Sequence, residues 1–225
     1  MVYIDSGYSR PGITVCFQQG NASLPNNTHY EKVVKMYPQD LHIHTTYSAN
    51  DSAIVPEQTV SLIARVKHAR TVGISDHFEN LTNTVFEHYQ AEVRAEGLKL
   101  GTEVDGHDWA RAAGDCAVDY YIYHCYDSDA DYRGAEYLLA TGKPVIIAHP
   151  NALDTNMDRL PPECLIEINN RYVWRCNWQR FYGTFKERFK FIISSDAHQP
   201  NWLGQSIARF AAREMGLKEE LLFAD

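Results

Sequence analysis

The chain lacks every long apolar run: no stretch of its 225 residues approaches the roughly 20 needed to span a bilayer. It also lacks a basic start followed by an apolar segment, since MVYIDSGYSRPG opens it, so a secretory signal is not expected. Cysteines are few, odd in number at 5 and scattered, and no Cys-x-x-Cys pair occurs. A disulfide scaffold and a zinc ribbon are thereby disfavoured, and a reducing, cytoplasmic setting is expected. In that setting Asn80-Leu81-Thr82 carries no weight as a glycosylation signal. No Lys/Arg cluster is present, and the formal net charge is −8. Such a chain is a poor binder of long nucleic acid, whose phosphates are held mostly by Lys and Arg. A small anionic substrate is not disfavoured, because bound cations can dominate a site's field; three divalent ions would bring the charge to about −2.

What is present is an ordinary globular composition, 44% apolar and 22% charged, in a length that suits one core. Residues 1–35 read as an extension, with Pro11, Gly12, Gly20 and Pro25 breaking any period. From Asp40 onward short apolar runs read as buried strands at 41–43, 71–75, 98–103, 118–124, 144–149, 164–169 and 191–195. Helical patterns lie between most of them. One opens at Pro56-Glu57 and runs through Val60, Ile63 and Val66; others cover 85–95, 132–140, 178–189 and 203–215. Seven strands alternating with helices imply a parallel sheet, open or closed.

Polar residues choose between the two. The predicted strands end in His42/His44, Asp76-His77, Glu103, His124, His149, Glu167/Asn169 and Asp196/His198. A doubly wound sheet gathers its site at one switch point. A barrel draws chemistry from many strands at its C-terminal rim, and that is the pattern here. The expected fold is therefore α/β, a distorted seven-stranded (β/α)7 TIM-like barrel over residues 36–225.

The strongest local signal is Asp40-Leu41-His42-Ile43-His44. Side chains alternate along a strand, so His42 and His44 face one way and Ile43 the other. Two imidazoles so placed can share a metal or feed two neighbouring ones. Asp196-Ala197-His198 repeats the arrangement at the last strand, a donor set suited to zinc, manganese or iron. Any one of these residues has an ordinary explanation, as a strand-end turn or a solvated edge. Six of the ten histidines falling at strand ends does not.

The ordered series DLHIHTTYS, ISDH, GTE, YHC, IIAHP, EINN and SSDAH resembles the PHP (polymerase and histidinol phosphatase) family over residues 40 to about 205. The resemblance implies a distorted seven-stranded barrel, two or three divalent ions and hydrolysis of phosphate esters. It implies His42, His44, His77, Glu103, His124, His149, Asp196 and His198 as ligands, with Glu103 bridging. The EINN segment is most like the small phosphatases with a trinuclear site. One position departs. Where the family carries His or Asp this chain has Asn50, a weaker ligand, with Asp51 adjacent and able to substitute if the loop shifts by one residue.

The expected chemistry is attack on phosphorus by a metal-activated hydroxide, with Glu103, Asp196, His198 and Arg171 in the catalytic set. Arg171, after Glu167-Ile168-Asn169-Asn170, is the best-placed phosphate fork, ahead of Arg159 and Arg175. Asp76 reads as an acceptor orienting an imidazole; Asp40 is left open. Tyr172, Trp174 and Trp178 could stack on a substrate ring or pack against the barrel. Cys125 reads as a buried thiol. The alternatives are a two-metal amidohydrolase, which usually needs a bridging lysine that the strand ends do not offer, and a silent metal-binding regulatory domain.

Overall fold

The structure is a computed structural model that describes residues 36–224, so the expected extension at 1–35 lies outside the described residues. Seven parallel strands pair in sequence order: β1 (Tyr37–Asp40), β2 (Ala69–Ile74), β3 (Lys99–Asp105), β4 (Tyr120–His124), β5 (Val145–Ile147), β6 (Leu165–Asn169) and β7 (Lys190–Ser194). Each sits within a few residues of an apolar run in the sequence. The ring closes just beyond the ends of β7 and β1. There Ile43 and Ala197 form a parallel bridge, and the His44 amide donates to Ala197 O at 2.9 Å. Asp40 reinforces the seam: its Oδ1 accepts the Ser195 amide at 3.0 Å and its Oδ2 meets His68 Nε2 at 3.0 Å. The role left open for Asp40 is thus closure of the barrel.

At the opposite end the C-terminal tail occupies the seam. Glu220 N–H donates to Phe191 O at 2.8 Å, and the Gln39 side chain holds Glu220 O and the Leu222 amide at 2.6 and 2.9 Å. The result is a nearly closed, distorted barrel with helices between strands.

Alternation along the strands divides the core in two. Tyr120, Ile122, Ile146, Leu165 and Ile192 point inward with Leu41 and Ala148, and Leu222 and Phe223 pack against them from the amino end. Tyr121, Tyr123, Ile147, Ile166, Ile168 and Ile193 point outward under the helices. Each such buried side chain contributes about 1.5–3 kcal/mol. The inner layer depends on glycine at two positions. A Cβ at Gly73 or Gly101 would come within 2.3 Å of the Tyr120 ring system. With both absent, the ring crosses the interior and its hydroxyl donates to Leu41 O at 2.6 Å.

The outer helices are α1 (Val60–Val66), α2 (Thr84–Ala95), α3 (His107–Gly114), α4 (Asp129–Leu139), α5 (Trp178–Gly183) and α6 (Ser206–Met215). α1 starts later than Pro56-Glu57 because Thr59 caps it, its hydroxyl accepting from Leu62 N. Gln58, just before the cap, is drawn to His44 O and Ala197 O at the closure. α5 ends at Gly183, short of the expected 189. α3 was absent from the sequence pattern; its first turn is capped from α4, where Asp131 Oδ1 accepts the His107 amide at 3.0 Å. No helix among the described residues is long and apolar enough to cross a membrane.

Candidate metal centre

The polar residues of the carboxyl rim converge on one carboxylate. Glu103 projects inward from β3 and is 1% exposed. Its Oε1 lies 3.0 Å from His42 Nε2, 2.8 Å from His124 Nε2 and 3.8 Å from His149 Nε2. Its Oε2 lies 3.0 Å from His77 Nδ1 and 3.4 Å from His44 Nε2. Asp196 Oδ1 is 3.7 Å from Nε2 of both His42 and His44, and His198 Nδ1 is 3.3 Å from it. Eight residues are thus brought together: Glu103 and His124 from β3 and β4, and His42, His44, His77, His149, Asp196 and His198 from the segments just beyond β1, β2, β5 and β7.

What surrounds these groups decides which ring nitrogens carry protons. His42 Nδ1 is 2.7 Å from Glu167 Oε1, a carboxylate that can only accept, so Nδ1 donates. His124 Nδ1 likewise faces Asp105 Oδ1 at 3.0 Å, and Tyr126 donates to the same oxygen at 2.7 Å. Ser48 gives its one proton to Asp76 Oδ1 at 2.6 Å, so towards His44 Nδ1, 3.2 Å away, it accepts. In the neutral rings, therefore, His42, His44 and His124 all aim Nε2 lone pairs at Glu103. His42 Nε2 and His44 Nε2 stand 3.0 Å apart with no proton to share, and Glu103 Oε1 is buried without a hydrogen-bond donor. Acceptors facing acceptors in a buried space need a cation between them. Ligands of a tetrahedral ion with bonds of about 2.1 Å sit about 3.4 Å apart, close to these separations.

Three overlapping groups of donor atoms fall within 4.8 Å: His42–His44–Glu103, Glu103–His124–His149 and His44–His77–His198. The residues fit a metal. The charge agrees: six carboxylates, Glu103, Glu167, Asp196, Asp51, Asp105 and Glu79, pair with the cluster's imidazoles, and among the described residues one guanidinium, that of Arg171, reaches it, on Asp196.

Without metal, these carboxylates draw protons onto the rings. Burial pulls His77 down, but Glu103, Asp51 and Glu79 together raise it to about 11; His124 rises to about 9 against its burial for the same reason. His42 is also raised, by Glu167, Asp196 and Glu103 against its burial. His44 moves down through burial and the neighbouring His77. Glu103 is held well below the usual carboxylate range, burial being outweighed by His124, His42, His44 and His77. Glu167 falls to about 2, with burial opposed chiefly by His42.

Two of the rim residues adopt backbone conformations that L-residues rarely visit. His149 has φ 26° and Asp196 φ 54°. Each follows the last residue of a strand by two positions, and the turn redirects its side chain over the barrel mouth. Such strain persists only where surrounding contacts hold it, and it concentrates at functional sites.

The remaining expectations sort by position. Asp51, not Asn50, faces the cluster: its Oδ2 is 2.9 Å from His198 Nε2 and 3.4 Å from His77 Nε2. Asn50 is exposed and has no side-chain hydrogen bond among the described residues. Asp51 is fixed by accepting the Ala53 amide at 2.7 Å. Arg171 lies at the rim, its Nη1 2.9 Å from His198 Nδ1 and 3.1 Å from Asp196 Oδ1, with the guanidinium over Trp202 and Tyr172. Arg159 is engaged by Asp127 and Asp129, and Arg175 stacks on Tyr172 and Trp174. Tyr172 packs 4.7 Å from His149, Trp174 is exposed, and Trp178 packs against Phe210. Cys125 is a buried thiol pushed up to about 12 by burial.

Asp76 corrects the expectation for it. It touches no imidazole; its oxygens take Thr45 N, Thr45 Oγ1, Ser48 N and Ser48 Oγ, and it acts on His44 only through Ser48. The residues that orient imidazoles directly are Glu167 and Asp105, which sequence reasoning did not single out for that role. Glu167 carried a signal, being at a strand end beside Asn169; Asp105 carried none.

Fold and site together define a β/α barrel with a buried histidine–carboxylate cluster able to bind metal at its carboxyl rim. No protein-family model matches the chain, and no curated protein matches it in sequence. Among solved structures, it is similar to a truncated form of 3-deoxy-D-arabino-heptulosonate 7-phosphate synthase from Thermotoga maritima. The TM-score is 0.43 and the identity 11%, over 81% of this chain and 74% of that one.

Proposed function

We propose that the chain is a metal-dependent phosphoesterase of the PHP type, holding two or three divalent ions (zinc, manganese or iron) and hydrolysing a small phosphate monoester. The observation that carries this reading is the division of the histidines by Glu103: one oxygen faces His42, His124 and His149, the other His44 and His77. A carboxylate so placed suits a bridge between two ions. Six carboxylates against one guanidinium among the described residues also leave a negative excess that two or three divalent ions would offset. The third group, His44–His77–His198 with Asp51 alongside, is the candidate for a third.

Divalent ions bound there supply Lewis acidity, acidifying water and neutralising charge on phosphoryl oxygens. The chain's own groups do the rest. Glu103 and Asp196 hold negative charge centrally, and Asn169 Nδ2 steadies Asp196 Oδ2 at 3.0 Å. Arg171 uses Nη1 on Asp196 and His198; its Nε and Nη2 make no hydrogen bond among the described residues and can take phosphate oxygens as a fork. No lysine contacts the cluster among the described residues, which favours phosphoesterase over an amidohydrolase bridged by carbamylated lysine. The acidic chain favours a small phosphorylated substrate over long nucleic acid. Free thiols at Cys116, Cys125, Cys164 and Cys176 are in keeping with the cytoplasm. Residues 36–225 form the catalytic domain in this reading.

The test is metal analysis of protein purified without chelator, with p-nitrophenyl phosphate turnover in zinc, manganese and iron. About two to three equivalents and chelator-sensitive hydrolysis are expected. His149→Ala and Asp196→Ala should abolish hydrolysis while circular dichroism retains the fold. Bound metal without turnover on any phosphate ester would overturn the phosphoesterase reading, and turnover by these variants would overturn the ligand assignment.

A further inference from the structure

Glu167 belongs to the EINN segment and points its carboxylate into the barrel interior. It is fully buried, and four donors from four places saturate it. Oε1 accepts from His42 Nδ1 at 2.7 Å and from the Ser194 hydroxyl of β7. Oε2 accepts the His149 backbone amide at 2.6 Å and Asn169 Nδ2 at 2.9 Å. Two of these four bonds reach metal-facing residues, His42 and His149, both on the Oε1 side of Glu103. The bond to His42 puts a proton on Nδ1, so that in the neutral ring Nε2 is a lone pair 3.0 Å from Glu103. The bond to the His149 amide anchors the residue whose φ of 26° turns its ring over the mouth.

We infer that Glu167 is a positioning residue that sets two ligands at once, the tautomer of His42 and the strained backbone of His149. This rests on the metal-centre reading of the cluster but not on the reaction catalysed there. A neutral isostere cannot do the same work. Glutamine offers one acceptor oxygen and one NH2 donor. Whichever way its amide is turned, either His42 Nδ1–H or the His149 amide meets a donor where it had an acceptor. Partners that hold a metal-ligating histidine typically matter by about 10–100-fold in affinity.

The test combines NMR of the full chain, with and without zinc, and zinc affinity by competition with a chromophoric chelator. In the wild type, His42 should show a solvent-protected, strongly downfield Nδ1–H resonance whether or not zinc is present. Glu167→Gln should lose that resonance or the downfield His149 amide, and bind zinc about 10–100-fold more weakly. Glu167→Ala should also bind weakly, with acetate restoring affinity by filling the vacated acceptor position. A wild-type His42 with no proton on Nδ1 would overturn the inference however the variants fold. So would a folded Glu167→Gln variant with both resonances and wild-type affinity. If the wild type binds no zinc but keeps the Nδ1–H signal, the positioning geometry stands and the metal-centre reading fails.

Discussion

Asp51 and Asn50 show how one residue of register decides a role. Both sit in the loop after the first two histidines, and only Asp51 turns its carboxylate to His77 and His198. Asp51→Ala should lower the metal content of the purified protein by leaving those two imidazoles without a shared carboxylate. Asn50→Ala, at an exposed position, should leave metal content unchanged and shift stability by no more than about 0.5 kcal/mol. Metal analysis and urea denaturation of the pair would check this; equal loss in both would mean that the loop is held differently in solution. Glu103→Gln is the harsher change. It keeps the shape, replaces one central oxygen by a donor and removes the charge, so metal content should fall to background.

Elements are where sequence and structure diverge most, for reasons that can be named. Six of the strands were legible because each overlaps a short apolar run, and their polar ends disclosed the rim; β1, Tyr37–Asp40, is not apolar and ends just before the run at 41–43. The ligand-type residues were legible as histidines and acids at strand ends; alternation alone would turn His149 outward after Ala148, and its φ of 26° is what brings it to the mouth. α3 was not, because HDWARAAG is short and takes its cap from Asp131, 24 residues on. Glu167 could not be assigned a partner, since His42 lies 125 residues earlier and only the closed ring brings them together. The glycines of β2 and β3 belong to this scale as well. Gly73→Ala and Gly101→Ala should each cost about 1–3 kcal/mol by driving a methyl into Tyr120. Tyr120→Phe should partly relieve the first, whose nearest contact is the hydroxyl, and not the second, which meets the ring at Cζ and Cε2. Denaturation of the two double variants would show a compensating coupling in one and none in the other.

Across the whole molecule, the acidic excess visible as a formal charge of −8 is concentrated in part at the barrel mouth, and its counter-charge can be protons or metal. The two respond oppositely to pH. Without metal, His124 and His77 have folded values raised from 6.5 to about 9 and about 11. Their contribution to stability is complete below 6.5 and is lost as pH rises through about 9 and then about 11. Metal must displace those protons, so its binding strengthens as pH rises and weakens in acid. Chelator-treated protein should therefore lose melting temperature on the alkaline side, while zinc-loaded protein holds it. Free zinc at 100 times its dissociation constant should add about 2.7 kcal/mol, or roughly 5–10 °C, at neutral pH. The gap between the loaded and stripped melting curves should widen with pH until zinc itself hydrolyses. A gap that stays constant from acid to alkali would mean that zinc binds away from these histidines, because a cation in their midst cannot avoid competing with their protons.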